Sequence, residues 1–191
     1  MPKRKPEQDA RYQKSRAAIE EASIQVLLRN PDASMSEIAL SSGVGRATLY
    51  RHFESRERLI QALAKKCLDE TDDLVAPLKQ ENLRGRAAIE ATIDVLMPMA
   101  DRFKFLLGLW DIAGSDRHVR TIYRRQLDEL HTLVEQAKHD NDISDAISND
   151  WIVATFDSLL TASWLMIKNG SLSQEDAASL FKRTFFDGLG D

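Results

Sequence analysis

The sequence predicts an all-α fold in two parts: an N-terminal three-helix unit with a helix-turn-helix over residues 10–55, and a C-terminal helical bundle over residues 56–191. Three observations predict it. Apolar residues recur at helical spacing through most of the chain, the mark of helices that each bury one face. No stretch alternates apolar and polar residues with a period of two, and no Asn-Gly turn joins two apolar runs. Charge is divided as well. Residues 1–66 hold 13 Lys/Arg against 8 Asp/Glu, whereas residues 67–191 hold 13 against 22. A basic first third on an acidic body suits a small nucleic-acid-contacting module carried by a larger part that does not touch the polyanion.

Residues 1–9 form a basic, proline-flanked tail, read as a minor-groove arm or as a solubilising terminus. From Ala10 to Asn30, Ile19, Ala22, Val26 and Leu27 share a helical face, and Pro31-Asp32 ends it. Ser34 followed by Glu37 is a capping box that starts a short helix. Met35, Ile38, Ala39 and Leu40 supply its apolar surface, and Gly43 stops it where a left-handed residue is needed. Val44 plugs the turn. The next helix starts at Gly45 or Arg46, with Ala47, Leu49 and Tyr50 toward an apolar side. That leaves Arg46, Thr48, Arg51 and His52 to project away. A helix, a glycine turn and a second helix rich in basic and hydroxyl groups is a pattern that places a helix in the major groove of DNA.

At these residues the sequence resembles the TetR family of one-component transcriptional regulators. Ile38-Ala39, Gly43-Val44 and Thr48-Leu49-Tyr50-Arg51-His52-Phe53 match that family's DNA-binding signature, over roughly the first third of the chain. The resemblance implies that Thr48, Tyr50, His52 and Arg56 grip the DNA backbone and that Arg46, Ala47 and Arg51 face base edges, with Ser36 a further DNA-binding residue. Arginine suits bidentate bonding to guanine O6 and N7. Three positions depart from the family pattern. Gly45 replaces a common Ser, which removes a side-chain cap; Glu54 replaces a common Pro; Arg56 replaces a frequent Lys and keeps the cation.

Ser55 caps a long helix whose apolar stripe runs to Leu78, ending near Pro77 and joining the two parts mechanically. Further helices are expected at Arg86–Leu96, Arg102–Ala113, Asp116–Lys138, Asn149–Lys168 and Ser173–Phe186. Trp151, Ile152, Val153, Phe156, Leu159, Leu160, Trp164, Leu165 and Ile167 surround most of the Asn149–Lys168 helix. A helix that is apolar all round must be covered on all sides, so a homodimer through residues 149–168 and 173–187 is expected. The resemblance also implies an apolar effector cavity in the bundle. Met97, Phe103, Trp110, Tyr123, Phe156 and Asp157 are the candidate lining, Asp157 because a carboxylate among apolar residues is costly unless paired.

Other chemistry finds little support. His131, Glu135 and His139 share one helical face at metal-ligand spacing but lie on the polar side of their helix beside Asp128, and read as a solvated face. No Gly-rich phosphate loop, Cys-x-x-Cys, His-Glu-x-x-His or Gly-x-Ser-x-Gly occurs, so no catalytic centre and no cofactor is expected. The single Cys67 excludes an intrachain disulfide and, with no signal peptide and no apolar span, points to a cytoplasmic protein. The reading that results is a ligand-responsive DNA-binding regulator with an unknown small-molecule effector and a double-stranded operator. The alternatives are an assembly or adaptor protein that binds DNA non-specifically and, further off, a helical enzyme.

Overall fold

The computed structural model describes residues 6–188, which form ten α-helices and one short 3-10 turn. The first five residues of the basic tail lie outside the described residues. The rest of it opens α1 (Pro6–Arg29), Pro6 occupying the first helical position, where its missing N–H costs no hydrogen bond. Then follow α2 (Met35–Ser41), α3 (Arg46–His52) and the long α4 (Arg56–Gln80). The last of these continues past Pro77, which sits in its exposed final turn, so the one hydrogen bond that proline forfeits is lost where water replaces it.

In the second part, α5 (Gly85–Leu96) is followed by a 3-10 turn, Met97–Met99. The single helix expected at Arg102–Ala113 is two, α6 (Ala100–Gly108) and α7 (Trp110–Ala113). Leu109, at φ −126° and ψ 20°, breaks the spiral after Gly108, the residue with the most backbone entropy to lose in a helix. A Cβ on Gly114 would meet the Trp110 ring at 2.9 Å, so only glycine lets the chain leave α7 against that indole. The remaining helices are α8 (Arg117–His139), α9 (Asn149–Lys168) and α10 (Gln174–Asp187). No described helix is long and apolar enough to cross a membrane.

Two cores hold these helices. One gathers Ile19, Ile24 and Leu27 of α1, Ile38 of α2, Leu49 of α3 and Leu59–Leu68 of α4, and it extends to Phe105 and Leu106 of α6. The other lies between α5, α8, α9 and α10 around Ile89, Ile93, Val134, Phe156, Leu160 and Phe181. The first core therefore runs across residue 56, and α4 belongs to both parts. Burying these aliphatic side chains supplies roughly 1.5–3 kcal/mol each.

One face of α9 packs on the rest of the chain, with Ile152, Val153, Phe156 and Leu160 buried. The opposite face is open. Trp151 is 69% exposed and Leu165 51%, with exposed Ala154, Ser158 and Ala162 between them at helical spacing.

Candidate nucleic-acid interface and effector cavity

The α2–α3 unit is fixed by local hydrogen bonds. The Ser34 hydroxyl accepts from the Glu37 amide at 3.3 Å, and the Glu37 carboxylate accepts from the Ser34 amide at 2.7 Å. That bond to the Ser34 amide, helped by the hydroxyl, holds the exposed Glu37 carboxyl below its ordinary range. Gly43 takes φ +65°, a conformation that a Cβ disfavours, and its amide bonds the Leu40 carbonyl at 3.2 Å. Gly45 begins α3 with no side-chain cap.

Only Leu49 of α3 is buried. Arg46, Ala47, Tyr50 and Arg51 are exposed, and Ser36 and Thr48 half-exposed. The Arg46 guanidinium donates to the Ser36 hydroxyl, so two expected DNA contacts from neighbouring helices are joined. Arg51 donates weakly to the Thr48 hydroxyl at 3.4 Å. Ala47 and Tyr50 thus face outward, not toward an apolar side. Leu40, expected in the apolar surface of α2, is 83% exposed.

Two residues expected to grip phosphate have internal duties. Half-buried His52 packs its ring against Tyr12 of α1, centroids 4.2 Å apart. Arg56 donates from Nε to the Ala33 carbonyl at 3.0 Å and from Nη2 to the Pro31 carbonyl. Its guanidinium ties α4 to the turn before α2, because that turn leaves two carbonyls without helical partners at the start of α4. In this structure the half-exposed Arg56 guanidinium is thus engaged internally.

A cavity of about 410 Å³ opens between α4, α5, α6, α8 and α9. Phe103, Tyr123, Phe156 and Asp157 line it as expected; Met97 and Trp110 do not. Met97 is buried and faces a separate cleft beside Trp164. Trp110 stacks on Tyr123, centroids 4.3 Å apart, from the side of the first core, so Tyr123 itself screens it from the cavity. Sequence reasoning missed Thr71, Val75 and Leu78 of α4, Thr92 of α5 and Gln126 of α8 in the wall. Gln126 carried a signal, a polar residue inside the apolar stripe of α8. It donates to the Leu68 carbonyl and to Asp72, both at 2.9 Å.

Asp157 accepts a hydrogen bond from the Tyr123 hydroxyl at 3.1 Å. Burial pushes its carboxyl above the usual carboxylate range, and the Tyr123 bond only partly opposes that. Burial and the neighbouring carboxylate push the Tyr123 phenol up in turn. At the rim Lys79 and Glu129 pair at 2.9 Å. Next to cavity-lining Phe103, Arg102 reaches Glu21 of α1 at 2.6 Å, Glu70 of α4 at 3.5 Å and Asp101 at 3.3 Å. On α8, His131 faces Asp150 at 3.6 Å while His139 faces Asp140 at 3.1 Å. These two histidines therefore turn to different carboxylates.

Residues 27–63 match the family model of bacterial regulatory proteins of the tetR family. The N-terminal unit is similar in sequence to the DNA-binding segment of tetR-family regulators. The chain is thus a DNA-binding transcriptional regulator. It is 25% identical over 163 residues to the uncharacterized HTH-type transcriptional regulator YvdT of Bacillus subtilis (strain 168), covering 82% of each chain. It is 40% identical over 53 residues to the HTH-type transcriptional repressor LfrR of Mycolicibacterium smegmatis, covering 28% of each. In fold, the TetR-like regulator LfrR from Mycobacterium smegmatis, solved in complex with proflavine, resembles it with a TM-score of 0.74 at 19% identity. That likeness covers 94% of this chain and 98% of the other.

Proposed function

We propose that this TetR-family chain acts as a homodimer that binds a pseudo-palindromic operator, represses from it, and leaves it when a small molecule fills the cavity. One observation carries the reading. The N-terminal half of α4 shares one core with α1, α2 and α3 through Leu59, Ile60 and Leu63, and its C-terminal half lines the cavity with Thr71, Val75 and Leu78. An occupant that prefers one tilt of α4 therefore biases the spacing of paired recognition helices, since a ligand shifts an equilibrium only by its differential affinity for the two states. Arg102 supports the same coupling, because a shift of α6 at Phe103 is felt at Glu21 on α1. LfrR is named a repressor and was solved in complex with proflavine, which supports a small-molecule effector here.

Within the DNA-binding unit, Arg46, Ala47 and Arg51 are assigned to base edges, and Ser36, Thr48 and Tyr50 to the backbone. Dimerisation is assigned to the open face of α9 with α10, where Trp151, Leu165 and Leu180 are exposed. Ala154, Ser158 and Ala162 let a second α9 approach closely, and two copies of α9 and α10 make a four-helix bundle. The test is selection of bound duplexes from a random library. Enrichment of two half-sites related by a twofold axis and spaced by whole helical turns is expected; enrichment of no sequence contradicts the reading.

A further inference from the structure

The cavity wall carries one unbalanced charge. Among the described residues Asp157 takes its one side-chain hydrogen bond from a neutral phenol, that of Tyr123 at 3.1 Å, and no cation lies within ion-pair distance. Its second carboxylate oxygen has no protein donor. Lys79 and Glu129 at the rim neutralise each other at 2.9 Å, so neither is free to balance Asp157 or to hold an anionic ligand. The rest of the wall is mostly apolar or aromatic, including Val75, Leu130, Phe103 and Phe156, and its other polar groups, the Thr71, Thr92 and Thr132 hydroxyls and the Gln126 amide, are neutral. A carboxylate in such surroundings is stable only when protonated or matched by a positive charge. Aromatic side chains beside it add attraction for a cation, strongest once the cation is stripped of water.

We propose that the cavity takes a lipophilic monocation, its charge seated against Asp157 and its apolar body among Phe103, Tyr123 and Phe156, a class that presupposes the cavity as the effector site. A volume of about 410 Å³ lies within the range of pockets that enclose a small organic molecule. An anion of the same shape meets Asp157 as a like charge. A neutral molecule brings no charge to match the carboxylate and gains nothing from it.

Three probes sharing one alkyl chain separate these cases: decyltrimethylammonium, decanol and decanoate, each titrated calorimetrically against the full chain below its micellar concentration. The ammonium is expected to bind at least tenfold more tightly than the other two. Asp157→Asn keeps an acceptor for Tyr123 and preserves shape. It should weaken the ammonium by on the order of 30-fold or more, the cost of stranding one partner of a buried charge pair, and leave decanol within about twofold. Circular dichroism confirms that the variant is folded. No binding of the ammonium, equal binding by the Asp157→Asn protein, or tighter binding of decanoate each overturns the proposal. Operator affinity measured alongside keeps the two readings apart. Decanoate or decanol that binds and releases DNA removes the cation class and leaves gating standing. Ammonium binding that depends on Asp157 yet leaves DNA affinity unchanged keeps the class and removes gating.

Discussion

Replacing Leu165 and Leu180 together by alanine should separate the dimer without unfolding the protomer. Leu160 and Phe181, also on α9 and α10, cannot serve this purpose. They are 0% and 2% exposed within the protomer, in the second core, so charging them breaks that core first. Leu165 and Leu180 keep 51% and 43% of their surface open. Fully burying a leucine stabilises by roughly 1.5–3 kcal/mol, so covering these fractions contributes about 1.5–3 kcal/mol per protomer for the pair. The twofold axis doubles this to roughly 3–6 kcal/mol, which corresponds to a change in dimer Kd on the order of 100-fold to 10⁴-fold. Alanine retains part of that contact, so the low end is the expectation. Sedimentation velocity over a dilution series reads the Kd, and far-UV circular dichroism reads the fold. A folded double variant that dissociates at the same concentration as the parent refutes the assignment of this face.

Arg56→Ala should lower unfolding stability by roughly 1.5–3 kcal/mol, since charge-assisted bonds to two carbonyls are lost, and should leave the salt slope of DNA binding unchanged; a shallower slope with unchanged stability contradicts the structural role. Asp157→Asn should raise the melting temperature at neutral pH. The folded-state pKa of Asp157 is raised, so the unfolded chain binds fewer protons between the two pKa values and stability falls as pH rises through that window. The gain from Asn should therefore shrink as pH drops toward the ordinary carboxylate range, and a gain that grows on acidification refutes the sign. Cys67 is fully buried and its thiol is pushed up to about 12 by burial, the charge of Arg102 only partly opposing it. It should resist thiol reagents in the native protein and react at once in denaturant; fast native labelling contradicts the packing around α4.

The recognition unit was legible because its signals are local. Ser34, Glu37, Gly43 and Val44 lie within eleven residues, and each fixes backbone within its own turn. The internal bonds of Arg56 were not legible because its partners, the carbonyls of Pro31 and Ala33, come to it only when α4 folds against the α1–α2 turn. No spacing in the sequence announces that approach. The helices of the bundle were legible from their apolar periods, but a period does not tell cavity wall from filled core. Trp110 and Tyr123 stack on each other, yet only Tyr123 opens to the cavity. Arg102 drew no notice as one basic residue on an amphipathic segment. Its position among Glu21, Glu70 and Asp101 is set by three helices meeting. The open stripe of α9 was half legible: the apolar surplus on the helix was plain, while only the packing distinguished outward Leu165 from inward Leu160.

On this reading the exposed face of α3 meets base edges through Arg46, which is held beside Ser36. The most direct test compares Arg46→Ala with the parent on a selected operator and on scrambled duplex across a salt series. Loss of a bidentate arginine should cost about 1–3 kcal/mol per half-site on the operator and relax preference at one base pair of each half-site. Binding to scrambled DNA should change little. Should Arg46→Ala weaken operator and scrambled duplex equally, with a shallower salt slope, then Arg46 contacts phosphate and the assignment of base readout to this face is wrong.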